Sequence, residues 1–241
     1  MERNEKRNII LCSVFILWLI FLMLAIIIIM GDRLIYTTHL VKCLQDEHKS
    51  YKAKSAVMIK RQIAQYKTNL EKRLYQQRQV KLCKIIRKFQ PKLDEILADR
   101  IARSILIECD NIGVDPALVT GLIKVESGFD IFAESKAESI GLMQVRYSVW
   151  KNEPELINSG VHGKDYLFSI EHNIRAGVSI LHKYYKEAKC NIIKALYRYN
   201  TGKSKIPKNV SIWKINYVNK ILYYTYQVKS FLSEDNKCDQ E

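Results

Sequence analysis

Asp115-Pro116-Ala117-Leu118-Val119-Thr120-Gly121-Leu122-Ile123-Lys124-Val125-Glu126-Ser127-Gly128-Phe129 is the stretch on which the reading of the fold turns. Asp115 suits an N-cap, and Pro116 suits the first helical position, where no N–H is needed. Ala117 to Val125 is almost wholly apolar, so the helix it forms should be buried on all sides. That helix closes on a carboxylate, Glu126. A glutamate at the negative end of a buried helix, in apolar surroundings, should hold its proton to unusually high pH. A general acid working near neutrality needs that property. The residue type alone is weak evidence, because most glutamates at helix ends are solvated.

Upstream, Pro91 suits the first turn of another helix, with Asp94 and Glu95 near its positive end. Leu93, Ile96, Leu97, Ile101 and Ile105 follow helical spacing, Glu108 falls on the edge, and Asn111-Ile112-Gly113 stops the helix. From Lys42 to Gln90 there is no Gly or Pro, and Lys, Arg, Gln, Leu, Ile and Ala dominate, a composition that favours helix. Ile59, Ile63, Tyr66 and Leu70 alternate four- and three-residue steps, the seam spacing of a short coiled coil. Ile85, Ile86 and Phe89 are placed to pack on the domain that follows. A continuous helix over this connector would be roughly 70 Å long.

Farther upstream, Ile9 to Met30 is apolar apart from Ser13 and carries no charge, Pro or Gly. At about 1.5 Å per residue it is long enough for a bilayer's hydrocarbon core. It lacks the small-x-small ending of a cleaved signal peptide, so it reads as a retained anchor. The positive-inside count close to the span favours a cytoplasmic N-terminus only slightly.

The net charge of +14 is concentrated: residues 42–92 hold 15 Lys/Arg against 3 Asp/Glu, whereas residues 93–241 hold 20 against 19. The basic block is open to three readings: a solvated stalk, a helix drawn to anionic lipid or an anionic wall polymer, or a nucleic-acid surface. The last is disfavoured, because the few aromatics do not form a stacking platform. The six cysteines show no CxxC and no pairing with His at metal spacing, so neither a zinc site nor a disulfide framework is expected. Cys109 and Cys190 read as small core residues.

Glu126-Ser127-Gly128-Phe129, Ala133-Glu134-Ser135 and Gly141-Leu142-Met143-Gln144 together resemble the active-site region of the soluble, lysozyme-like (SLT) lytic transglycosylases. Further similarities follow in that family's order. Asn173-Ile174 with Gly177 and Leu181 looks like its structural helix, and Tyr197-Arg198-Tyr199-Asn200-Thr201-Gly202 resembles its Tyr-Asn-x-Gly turn. Tyr217-Val218 with Ile221-Leu222 looks like its closing helix. The resemblance spans about residues 93–226. It implies a mainly α, lysozyme-like catalytic domain with a small β-hairpin in residues 127–150. It also implies cleavage of the β-1,4 bond between N-acetylmuramic acid and N-acetylglucosamine in peptidoglycan, without water and without a cofactor or metal, to give a 1,6-anhydromuramic acid end.

On this resemblance Glu126 is the single catalytic acid/base. Ser135, Gln144, Tyr199 and Asn200 are substrate-binding residues, with the Tyr199 hydroxyl approaching the glutamate, and Ser127, Gly141 and Met143 are supporting residues. Ordinary glycosidases need a second carboxylate. Asp130 and Glu134 lie nearby in sequence, but neither matches a catalytic position of the family. Asn173 and Gly177 are expected to cap and pack rather than touch sugar. The sequence departs from the family at Ile131, at Glu138-Ser139, at Ser169-Ile170 and at Val145-Arg146-Tyr147. In the last of these Arg146 stands where an apolar cleft residue is common.

The expected organisation is a short cytoplasmic tail (1–8), a transmembrane helix (9–30), a basic helical stalk (31–90), the catalytic domain (91–230) and a polar tail (231–241). Because the substrate lies outside the cytoplasmic membrane, the C-terminal domain is expected to face the periplasm or cell exterior from a single-pass inner-membrane anchor. Expected partners are peptidoglycan strands and the lipid bilayer. Anionic lipid or wall polymer along 42–92, a second copy of the chain, and a secretion or conjugation machine remain open, and nucleic acid is not expected. Two rival functions stand beside the first: a muramidase that delivers water, and a non-catalytic wall-binding module.

Overall fold

The computed structural model describes residues 2–202 and 216–238, with side chains over 15–202 and 216–233. The side chains of the expected cytoplasmic tail and the last residues of the polar tail lie outside the described residues. The chain divides into two compact units, residues 1–70 and 71–241.

A single helix, α1 (Glu2–Phe89), supplies the first unit and enters the second. In the first unit the large apolar side chains from Phe15 to Met30 are exposed, as are Ile59, Ile63, Tyr66 and Leu70 of the proposed seam. Among the described residues α1 is the one helix long and apolar enough to cross a membrane.

In the second unit the last turns of α1 are part of the core. Leu82, Ile85 and Ile86 are buried, with Cys83 at the margin, because steps of three and four residues put one face of the helix against its neighbours. Arg78 grips Asp110 through both nitrogens at 3.0 and 3.2 Å, and Gln79 donates to Asp99 at 2.8 Å. Packing therefore divides the chain well before Pro91, where the sequence places the domain's start. From Lys42 onward the helix meets no Gly or Pro until Pro91.

Pro91 itself lies in a turn. The next helix, α2 (Glu95–Ile112), takes Asp94 as its N-cap, whose carboxylate accepts from the Ile96 and Leu97 amides. Gly113 closes α2 in the left-handed region. Glu108, expected at the edge, is buried and paired with Arg175 at 2.9 Å. The helix α3 (Pro116–Glu126) starts at the Asp115 cap as the sequence predicts, and Ala117 to Ile123 are all buried.

Beyond α3 the antiparallel strands β1 (Ser139–Ile140) and β2 (Val145–Arg146) form the expected small hairpin, in the register Ser139 to Arg146 and Ile140 to Val145. Short helices α4 (Tyr147–Trp150) and α5 (Pro154–Ile157) lead to the amphipathic helix α6 (Ile170–Glu187), then α7 (Ile192–Thr201) and α8 (Asn216–Cys238). The mainly α architecture is the one the sequence implies. The helix α8 continues through residues expected to form a polar tail, and Phe231 and Leu232 pack on the core. Cys190 is exposed rather than a core residue, while Cys109 is buried.

Two interfaces position the site. The helix α3 lies directly on α8: a Cβ at Gly121 would sit 2.9 Å from the Ile221 carbonyl and the Thr225 amide, so only glycine allows this approach. The hairpin is held to α6 by Asn173. Its side chain accepts from the Met143 amide at 2.8 Å and donates to the carbonyls of Ile140 at 2.8 Å and Leu167 at 2.7 Å. Three buried backbone groups thereby gain a side-chain partner.

Candidate active site

Glu126 ends α3 partly buried, its side chain in a cleft of about 360 Å³. The lining brings together residues from the hairpin region (Ser135, Ser139, Gln144, Arg146), from α6 (Ile180, Tyr184) and from α7 and its cap (Tyr199, Asn200, Gly202). Five positions singled out in the sequence, Glu126, Ser135, Gln144, Tyr199 and Asn200, therefore face one cavity. Ser127, Gly141 and Met143 do not line it.

Those three hold the wall in place. The Ser127 hydroxyl donates to the Leu142 carbonyl at 2.8 Å and accepts from the Phe129 amide at 3.2 Å, tying the end of α3 to the hairpin loop. Gly141 adopts φ +73°, and a Cβ there would lie 2.3 Å from the Asn173 amide nitrogen. Both facts demand glycine. Met143 is fully buried against Gly177, where a Cβ would meet its sulfur at 2.4 Å.

Gln144 sits at φ +50°, and its side-chain nitrogen donates to the carbonyls of Gly141 at 3.0 Å and Ala133 at 3.2 Å. With its donors engaged on the loop, its amide oxygen is the group turned to a ligand. The Ser135 hydroxyl accepts from the Ala137 and Ser139 amides at 3.3 and 3.1 Å, which leaves its proton to donate.

Burial raises the Glu126 carboxyl from its ordinary value to about 7, against the opposing effect of a hydrogen bond from the Tyr217 hydroxyl. Tyr217 Oη donates to Glu126 Oε1, while Oε2 accepts from no side chain or amide among the described residues. The sequence reading expected the Tyr199 hydroxyl at the glutamate. In the structure the Tyr199 hydroxyl instead donates to the Met143 carbonyl at 2.9 Å, where burial, helped by the nearby Glu126 charge, keeps it protonated. Burial and the neighbouring Glu126 likewise hold Tyr217 protonated, so it acts only as a donor.

Sequence reasoning read Tyr217 as part of a closing helix and missed its contact. The two residues are 91 positions apart, and only the seating of α8 on α3 brings them together. The apolar wall of Val149, Trp150, Ile180 and Tyr184 was missed as well. Its only sequence signal is a pair of aromatics on segments that otherwise read as core.

Among the described residues Glu126 is the one carboxylate in the lining. Asp130 is turned to its own loop, accepting from the Phe132 amide at 2.9 Å, and Glu134 is paired with Lys164 at 2.7 Å. Among the described residues no three His, Cys, Asp or Glu side chains gather closely enough to hold a metal ion. Such a cleft can give and take back one proton near neutral pH, beside a wall suited to a sugar face and a rim of hydroxyl and amide groups.

Residues 105–217 match the family model described as Transglycosylase SLT domain. Over a 71-residue stretch, 29% of this chain, the chain is 41% identical to a membrane-bound lytic murein transglycosylase C of Mannheimia succiniciproducens. Proteins of the same name from Photorhabdus laumondii and Yersinia pestis are 34% and 37% identical over equal lengths. The chain spans 20% of the length of these curated relatives. A solved lytic transglycosylase Slt of Pseudomonas aeruginosa aligns with 54% of this chain and 24% of its own, at 21% identity and a TM-score of 0.48. With its cleft, hairpin and helix-end glutamate all inside residues 105–217, the C-terminal unit of this chain is similar to the transglycosylase SLT domain over the elements that build the site.

Proposed function

We propose that this chain is a membrane-anchored lytic transglycosylase that cleaves the bond between N-acetylmuramic acid and N-acetylglucosamine in peptidoglycan. The carrying observation is a carboxylate, poised at about 7, in a cleft whose lining holds no second one among the described residues. The SLT match and the names of the relatives support the same reading.

In this mechanism protonated Glu126 gives its proton from Oε2 to the glycosidic oxygen as the bond from that oxygen to the muramoyl C1 breaks. The sugar's own N-acetyl group stabilises the positive charge that develops at C1. The glutamate, now charged, takes the proton of the C6 hydroxyl, and the oxygen closes on C1. One C–O bond breaks, one forms, and Glu126 ends protonated. Tyr217 stabilises the charged form between the two steps, while burial makes that form reactive enough to recover a proton. Ser135, Gln144 and Asn200 are placed to hold the sugar's polar substituents.

A muramidase would need a group to activate water opposite Glu126, and among the described residues no carboxylate in the lining supplies one. The apolar stretch from Ile9 to Met30 is read as a single inner-membrane span, with the C-terminal unit on the side where peptidoglycan lies.

The test is mass analysis of fragments released from purified peptidoglycan by the detergent-solubilised full chain and by Glu126→Gln. Products ending in 1,6-anhydromuramic acid with the wild type, and none with the variant, are expected. Products heavier by one water would make the chain a hydrolase, and release by neither protein would favour a binding module.

A further inference from the structure

Among the described residues the cleft lining carries one cationic side chain, Arg146. In β2 the alternation of a strand buries Val145 and turns Arg146 outward, opposite Ser139 in the register, and both Arg146 and Ser139 line the cavity. Arg78, Arg87, Arg100 and Arg175 each hold a carboxylate at 2.9–3.0 Å. Arg146 pairs with none among the described residues. Nor does it act on the acid: the two influences on Glu126 are burial and the Tyr217 hydroxyl. Tyr184 and Tyr199 are held neutral, so among the described residues the fixed positive charge presented to a ligand in this cleft is the Arg146 guanidinium. An unpaired guanidinium beside hydroxyl donors matches a carboxylate, which it grips through two parallel hydrogen bonds.

We infer that Arg146 is a specificity-determining residue whose guanidinium receives a carboxylate carried by the muramoyl unit, so that the cleft prefers an anionic glycan strand to a neutral one. This rests on the glycan-cleaving reading above. Two sources share that chemistry: the lactyl carboxylate of a strand without peptides, and a carboxylate of an attached stem peptide.

The experiment uses the full chain in detergent with three soluble substrates: strands bearing stem peptides, strands stripped of them, and stripped strands whose lactyl carboxylates are blocked as methylamides. Arg146→Ala is expected to raise KM about three- to tenfold on strands bearing the recognised carboxylate, with a smaller change in kcat. Arg146→Lys should recover part of the loss, since it keeps the charge but not the fork. On blocked strands wild type and Arg146→Ala should coincide. A defect on stripped strands assigns the lactyl carboxylate, and one confined to stem-bearing strands assigns the peptide. Equal KM for both proteins on every substrate overturns the inference.

Binding decides the point without turnover. Glu126→Gln chain should co-sediment with insoluble peptidoglycan more strongly than Glu126→Gln/Arg146→Ala, with the difference lost at high salt. If the wild type releases no product, the proposed reaction fails while this comparison still supports or overturns the role of Arg146.

Discussion

Burial and a hydrogen bond pull on the Glu126 proton in opposite directions, and burial wins, leaving the carboxyl at about 7. A reaction that needs the protonated acid should lose kcat/KM as pH rises through about 7. Tyr217→Phe removes the influence that lowers the value, so the alkaline limb of its pH–rate profile should move upward. A limb that stays in place would show that Tyr217 does not tune the acid.

Stability carries the same signature. The folded state binds the Glu126 proton more tightly than the unfolded chain, whose value is near 4.5, so the group's contribution is fully present below pH 4.5 and declines as pH rises through about 7. Glu126→Gln has no proton to lose, so its stability relative to wild type should grow by about 2–4 kcal/mol between pH 4.5 and 8. Thermal melts of both proteins across that range would measure it.

At the scale of elements, the second unit depends on polar and steric keys between segments distant in sequence. Asn173→Ala removes a hydrogen bond from the buried Met143 amide and from two buried carbonyls and should cost about 2–4 kcal/mol, read from denaturant unfolding. Gly177→Ala drives a methyl into Met143 and should displace the loop that carries Gln144. Activity should then fall more than stability does.

The end of α1 belongs to the same account. Leu82→Ala or Ile86→Ala, although in a stretch that reads as connector, should each cost about 2–4 kcal/mol. By the same argument a fragment of residues 91–241 should unfold at lower denaturant than one of residues 71–241. The sequence placed Ile85, Ile86 and Phe89 as packing residues, but amphipathic spacing on a long basic helix does not say where packing begins. That is decided by where α2 supplies partners such as Asp99 and Asp110.

For the whole molecule, charge and hydropathy are segregated along α1: an uncharged apolar stretch, then the basic residues of 42–92. Deleting residues 1–30 should move the chain from the membrane fraction to the soluble one. If the basic stretch adds attraction to anionic surfaces, binding of the deleted form to phosphatidylglycerol vesicles should collapse between low and high salt, because exposed charges are screened beyond about 8 Å at physiological ionic strength. Binding indifferent to salt would assign the block to a solvated stalk.

The sequence by itself determined the features that rest on local chemistry and periodicity. These are the helix capped by Asp115-Pro116, its buried run and closing glutamate, the apolar N-terminal stretch and the order of the short motifs that build the hairpin and its anchoring helix. Tertiary structure alone decided which hydroxyl reaches Glu126, that the last turns of α1 are core, that Glu108 is buried with Arg175, and that Arg146 is the one cation lining the cleft among the described residues. Each of these depends on contacts between elements far apart in the chain, such as α8 on α3 through Gly121 or α1 against α2. Spacing along the sequence registers which face of a helix is apolar, but not which partner that face meets.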